Sequence, residues 1–95
     1  MKLFFNLTCE ACPEQYDVLD TENDNKIVAY VRFRWGHLSC TVPDVGGTVI
    51  YSAESRDNAY RGVFSTEEER VYYLEEIKQH ILRHYYVQTF FKSKN

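Results

Sequence analysis

No apolar run in these 95 residues approaches the roughly 20 that a membrane-crossing helix needs. The opening Met1-Lys2-Leu3-Phe4-Phe5-Asn6-Leu7-Thr8 carries one positive charge and a very short apolar stretch. A secretory signal asks for an apolar core of about 7–15 residues and a small-residue cleavage site. The expected location is therefore a reducing cytoplasm, where the Asn6-Leu7-Thr8 sequon goes unused. Only four Gly and two Pro are present, which leaves little room for long irregular loops. Three Cys is an odd number and does not make a closed disulfide framework. Lys and Arg number 11 against 14 Asp and Glu, a net charge of −3. That balance speaks against a protein that coats nucleic acid generally, because such affinity comes from neutralising phosphates. A Gly-rich phosphate loop, a His-Glu-x-x-His pair and a recognisable nucleophile–base pair are all missing, so the sequence reads as a non-enzyme.

What is present is ordinary in amount and unusual in kind. Hydrophobic residues make up 44% and charged residues 26%, as in a soluble globular chain. Aromatics reach 16%, from eight Tyr, six Phe and one Trp. The length suits a single domain over residues 1–95.

Alternation of polar and apolar residues predicts four strands. Gln15–Asp20 sets Tyr16 and Val18 against Asp17 and Leu19. Thr21-Glu22-Asn23-Asp24-Asn25 is turn chemistry. Lys26–Trp35 is the clearest strand, with Ile27, Ala29, Val31, Phe33 and Trp35 expected on one face and Val28, Tyr30, Arg32 and Arg34 on the other. Gly36 permits a reversal into His37–Val42, and Pro43-Asp44-Val45-Gly46-Gly47 a second turn into Thr48–Ala53. A helix is expected from about Thr66 to about Tyr86, capped by Ser65 with Glu68 completing a capping box. Glu67, Glu68 and Glu69 suit its first turn electrostatically. Val71, Leu74, Ile77, Ile81, Leu82 and Tyr85 form its apolar stripe. Several strands followed by one helix give an α+β fold, an antiparallel meander of about four strands and one long C-terminal helix.

A sheet of this size under one helix buries little apolar surface beyond what chain ordering costs, so a bound metal would add useful stability. Cys9-Glu10-Ala11-Cys12-Pro13 holds two thiols at the spacing that lets one turn grip a zinc ion. His37-Leu38-Ser39-Cys40 supplies a second pair, and Cys9, Cys12, His37 and Cys40 together make a candidate zinc site tying the N-terminal segment to the sheet. Residues three apart in a regular strand point to opposite faces, so His37 and Cys40 converge only if Gly36 delays the strand or a bulge intervenes. His80 and His84, spaced i, i+4 on the helix, are the other source of ligands, or a solvated face. Cys40 alone also suits a small buried hydrophobe.

Two surfaces stand out. Glu10, Glu14, Asp17, Asp20, Glu22 and Asp24 fall in a stretch without Lys or Arg, and Glu67, Glu68, Glu69, Glu75 and Glu76 follow on the helix. Such a field can steer the chain to a basic partner, with Glu14, Asp17, Asp20, Glu22, Asp24, Glu67 and Glu68 as contacts, or it serves solubility alone. Tyr30-Val31-Arg32-Phe33-Arg34-Trp35 mixes basic and aromatic residues as sheets that bind single-stranded RNA do, but alternation turns Phe33 and Trp35 to the core. With Lys92 and Lys94, Arg32 and Arg34 outline the alternative function, a zinc-ribbon-like nucleic-acid-binding adaptor. Tyr72, Tyr73, Tyr86, Phe90 and Phe91 exceed what one small core can use and point to a partner or a homodimer.

Cys12-Pro13-Glu14-Gln15-Tyr16-Asp17-Val18, Val28-Ala29-Tyr30-Val31-Arg32-Phe33-Arg34-Trp35-Gly36, Pro43-Asp44-Val45-Gly46-Gly47 and Val49-Ile50-Tyr51 resemble a group of small proteins of phages and Gram-positive bacteria, over roughly Cys9 to Tyr85. Within that size class, an acidic, metal-containing phage protein is similar to some type II-A anti-CRISPR inhibitors. The resemblance implies a non-enzymatic binder in the bacterial host cytoplasm, whose partner is the RNA-guided nuclease and whose effect is to block target-DNA loading. It carries over no inhibitory residue.

Overall fold

The computed structural model describes residues 1–10, 14–54 and 63–94, with side chains through Thr89. Five strands, β1 (Leu3–Cys9), β2 (Glu14–Asp20), β3 (Lys26–Arg34), β4 (His37–Val42) and β5 (Thr48–Glu54), precede one helix, α1 (Glu67–Lys94). The strands pair antiparallel in chain order β1-β2-β3-β4-β5, and the helix lies on one face of the sheet. The α+β meander with a C-terminal helix is the expected architecture, with one strand more. β1 is that addition. Its alternation is weak because Phe4 points away from the helix side, while Phe5 packs edge-on to Tyr16, ring centroids 6.2 Å apart.

The core forms between one sheet face and the helix. Tyr16, Val18, Ala29, Val31, Phe33, Leu38, Cys40 and Val42 come from the strands, Ile77 and Ile81 from the helix, and Phe64 from the segment before it. Strand alternation explains most of this set, since the residues fall two apart along β2, β3 and β4. β3 departs from it. A bulge against β2 pairs Val18 with Ala29 and Leu19 with Ile27, leaving Val28 without a β2 partner. Val28 turns into the core and Ile27 is pushed to the other face. The Tyr85 hydroxyl donates to the Val28 carbonyl and so takes up a group that the bulge frees.

Trp35 is not a core residue, as alternation had suggested, because β3 ends at Arg34. Arg34 pairs with His37, so Trp35 and Gly36 are the two central residues of the hairpin. Both have positive φ, 54° and 71°, the type I′ pattern that matches strand twist.

The helix is entered one residue later than its first capping frame. Thr66 Oγ1 accepts from Glu69 N at 3.0 Å, and Glu69 Oε1 accepts from Ser65 N at 3.1 Å. Thr66 therefore caps the helix in place of Ser65, and the Glu69 carboxylate reaches back to the residue before the cap. Tyr73, Ile77, Ile81 and Tyr85 recur every fourth residue along the stripe that meets the sheet, whereas Val71 is 59% exposed. The helix also runs past Tyr86 to Lys94. At about 1.5 Å per residue, its last nine residues project about 13 Å beyond the Tyr85 contact.

Candidate binding surface

The sheet has a second face that no described layer covers. The register assigns its side chains in rows across the strands. Phe4, Leu19 and Ile27 make one row, and Asn6, Asp17, Tyr30, Thr41 and Val49 the next. Cys9, Gln15, Arg32, Ser39 and Ser52 make a third, and Arg34, His37 and Glu54 the last. The first row is apolar, and Phe4 remains 53% exposed. The later rows grow polar and cationic toward the β3–β4 hairpin. Neither Arg32 nor Arg34 forms an ion pair with a described residue. Arg34 instead places its guanidinium 5.7 Å from the centroid of the Trp35 ring, which is 62% exposed. His37 Nδ1 pairs with Glu54 Oε1 at the same end.

The acids expected to form one docking field are dispersed. Glu14 is 1% exposed on the helix side of β2. Arg70 reaches it with two nitrogens, Nε to Oε2 at 2.9 Å and Nη2 to Oε1 at 3.1 Å, and the Tyr16 hydroxyl donates to Oε2. Burial works to raise the Glu14 pKa, but Arg70 and Tyr16 outweigh it and hold the carboxyl below its ordinary range. Tyr16 in turn is pushed well up, first by burial and then by the Glu14 carboxylate. Asp20 is also buried, with Oδ1 accepting from Glu22 N at 3.1 Å and Lys2 N at 3.3 Å. Glu14 and Asp20 are thus structural carboxylates and not contacts for a partner, because their charges are satisfied inside.

Asp17 lies on the uncovered face opposite Tyr30. Glu22 and Asp24 occupy the β2–β3 turn, and Glu22 pairs with the Met1 amino group at 2.8 Å. Glu67 and Glu68 belong to the first turn of the helix, which Arg70 anchors at the opposite end of β2. That strand is about 20 Å long, so the two acidic groups lie beyond one screening length of each other.

The zinc candidates are also spread. Cys9 sits in register with Gln15, on the uncovered face. His37 is on that face as well, and Cys40 points the other way, fully buried between Val31 and Tyr51 in the register. β4 alternates regularly, so no bulge turns His37 and Cys40 together. Burial pushes the Cys40 thiol up to about 12, which keeps it protonated. Cys12 lies outside the described residues. His80 meets Tyr51 edge-on at 5.0 Å, with Nδ1 2.9 Å from the Glu76 carbonyl, and His84 packs against Tyr85 at 5.1 Å. Among the described residues no cluster of three or more His, Cys, Asp or Glu is placed to hold a metal.

Sequence reasoning missed Trp35 as a surface residue. The signal was Gly36 preceded by a strand, since a two-residue hairpin consumes the residue before the glycine. No described helix is long and apolar enough to cross a membrane. No family model, curated protein or solved structure matches the chain.

Proposed function

We propose that this chain is a non-catalytic interaction protein that docks through the uncovered face of its sheet. The partner suggested by the sequence resemblance is the RNA-guided nuclease of type II CRISPR systems, which the docked chain would keep from loading target DNA. The observation that carries the reading is a pair of arginines, Arg32 and Arg34, standing without ion-pair partners among the described residues on an unlayered face beside an exposed indole. Arginine and tryptophan are the residues that most often concentrate binding energy in an interface. The acids left at the surface, Glu22, Asp24, Glu67 and Glu68, flank the two ends of the molecule and contribute long-range steering more than contact.

Co-elution of the chain with a purified, guide-loaded type II nuclease tests this directly, together with a target-cleavage assay. Co-elution, loss of cleavage, and at least tenfold weaker binding by the R32E/R34E double variant, about 1.4 kcal/mol, are expected. Absence of co-elution, or binding unchanged by the double variant, overturns it.

A further inference from the structure

The outer face of α1, turned away from the sheet, has a symmetry of its own. At about 3.6 residues per turn, Gln79 stands opposite the line midway between Ile77 and Ile81, the helix residues buried completely against the sheet. Outward from Gln79 the sequence is close to a palindrome. Val71-Tyr72-Tyr73 returns as Tyr85-Tyr86-Val87, Ile77 is matched by Ile81, and Glu75 is matched by Arg83. We infer that this face pairs with a second copy of the chain, the two helices running antiparallel about a two-fold axis through Gln79.

The inner members of the pattern serve the core, where Tyr73, Ile77, Ile81 and Tyr85 pack on the sheet. The outer members stand in solvent. Val71, Tyr72, Tyr86 and Val87 are 59%, 60%, 70% and 42% exposed, and they are the large apolar side chains that the helix exposes among its described residues. Tyr72 leans edge-on to Tyr73 of its own helix, ring centroids 5.1 Å apart, and keeps that exposure. A two-fold axis at Gln79 exchanges positions equally far from it along the helix. It sets Tyr72 of one copy beside Tyr86 of the other, and Val71 beside Val87, at the two ends of a seam about 24 Å long. Identical chains meeting in this way need a surface complementary to itself, and a foreign partner gives no reason for one.

Charge fixes the direction. Glu67, Glu68, Glu69, Glu75 and Glu76 precede Gln79 on the helix, and no acid follows it. A parallel pair would set acid against acid. The antiparallel pair sets Glu75 beside Arg83 of the other copy, in two symmetric contacts. Neither residue forms an ion pair with a described residue. Arg83 has no acid three or four residues away on either side, so a bridge along its own helix does not explain it. Gln79 Nε2 donates to Glu75 Oε1 at 3.0 Å and so holds the carboxylate near the axis. Matching to the helix dipole accounts for the acids of the first turn, but that effect fades within a turn of each end, and Glu75 and Arg83 lie deeper. The uncovered sheet face is on the far side of the sheet from α1, so pairing through the helix leaves it free in both copies.

Sedimentation equilibrium of the full chain from about 1 to 300 µM tests the pairing. A seam of this length belongs with small interfaces, so association in the micromolar range is expected, the mass rising from 11.3 kDa toward twice that. Glu75→Arg and Arg83→Glu should each weaken association at least tenfold, and the double swap should restore it to within about threefold. The two positions lie about 12 Å apart along one helix, too far to pair within a chain, so rescue reports a contact between chains. On mild oxidation Gln79→Cys should link two copies through position 79, found by peptide mapping. Helices packed about 8–10 Å apart bring those Cα atoms within about 6 Å, inside the reach of a disulfide. Glu75, Gln79 and Arg83 are all exposed, and circular dichroism checks that each variant is folded. R32E/R34E, on the far side of the sheet, should leave the mass unchanged. A mass that stays at 11.3 kDa up to about 300 µM overturns the inference. So does a double swap no better than either single variant, the absence of a link through position 79, or a dimer that R32E/R34E dissolves.

Discussion

Arg70 joins the helix to the sheet by a two-pronged grip on Glu14, a residue 56 positions earlier and 1% exposed. The fork of the guanidinium fits both carboxylate oxygens, and Tyr16 donates to one of them. Removing Arg70 strands the Glu14 carboxylate in the interior, whereas removing Glu14 leaves Arg70 partly in solvent and still paired with Glu67. Arg70→Ala should therefore cost about 3 kcal/mol and Glu14→Ala less, about 1–2 kcal/mol. The double variant Glu14→Leu/Arg70→Leu should recover most of that loss, since an apolar pair of similar volume avoids the desolvation cost. Urea denaturation of all four proteins closes the cycle. A double variant less stable than either single variant contradicts the account.

The same pair makes stability fall in acid. Glu14 titrates below its ordinary value in the folded chain, so it binds a proton more readily when unfolded. Its contribution is therefore full above the unfolded pKa of about 4.3 and drains away as pH falls through the lowered folded value. Melting temperatures of wild type and Glu14→Gln should differ by a constant amount from pH 6 to 8 and converge below about pH 4. A difference that widens in acid would reverse the sign assigned to this carboxyl.

Cys40 and Cys9 should differ sharply toward a thiol reagent. Cys40 is fully buried with its thiol pushed up to about 12, and Cys9 is half-buried on the open face. The thiolate is the reactive form, so the native protein should leave Cys40 unlabelled and denaturant should release it. Peptide mapping after pulse labelling identifies the site. Labelling of Cys40 in the native state as fast as Cys9 would mean that β4 opens readily. The same burial predicts that Cys40→Ala leaves the zinc content of purified protein unchanged, measured by elemental analysis. A fall in zinc on that substitution would place Cys40 among the ligands after all.

The helix and the strands with regular alternation were legible because local periodicity decides them. β2 and β4 each follow the period of two that their residues display, whereas β5 takes up an extra residue at Ile50, so that Val49 lies on the uncovered face while Tyr51 and Ala53 pack against the core. Where the sequence misled, a single backbone device intervened. The bulge at Val28 exchanged the faces of Val28 and Ile27, and the two-residue hairpin carried Trp35 out of the sheet. Ser65-Thr66-Glu67-Glu68-Glu69 offers two capping frames one residue apart, and only the hydrogen bonds choose between them. The Glu14–Arg70 grip left no local trace, because nothing near Glu14 in the chain announces a partner 56 residues away. Half of the candidate surface, Arg32 and Arg34, was visible as basic residues on one strand face. The other half depended on where that strand ended.

Of the two glycines in the β4–β5 turn, Gly47 is the one whose missing side chain the fold requires. A Cβ there would stand 2.1 Å from the Val42 carbonyl oxygen and 2.6 Å from its carbon, both backbone atoms that cannot swing aside. The β4–β5 turn is also fastened at this point. Gly47 N donates to the Asp44 carbonyl at 3.0 Å, and the Thr41 hydroxyl donates to the same oxygen at 2.9 Å. Gly46 next to it has φ +78° but open space where a Cβ would go. Gly46→Ala should therefore cost about 1 kcal/mol through backbone strain alone. Gly47→Ala should cost more, about 2–4 kcal/mol, because the turn must separate from the end of β4 to admit the methyl group. Thermal melts of the two variants under one condition decide the order. If Gly46→Ala proves the more damaging, the close approach of Gly47 to Val42 is not what holds β5 in register.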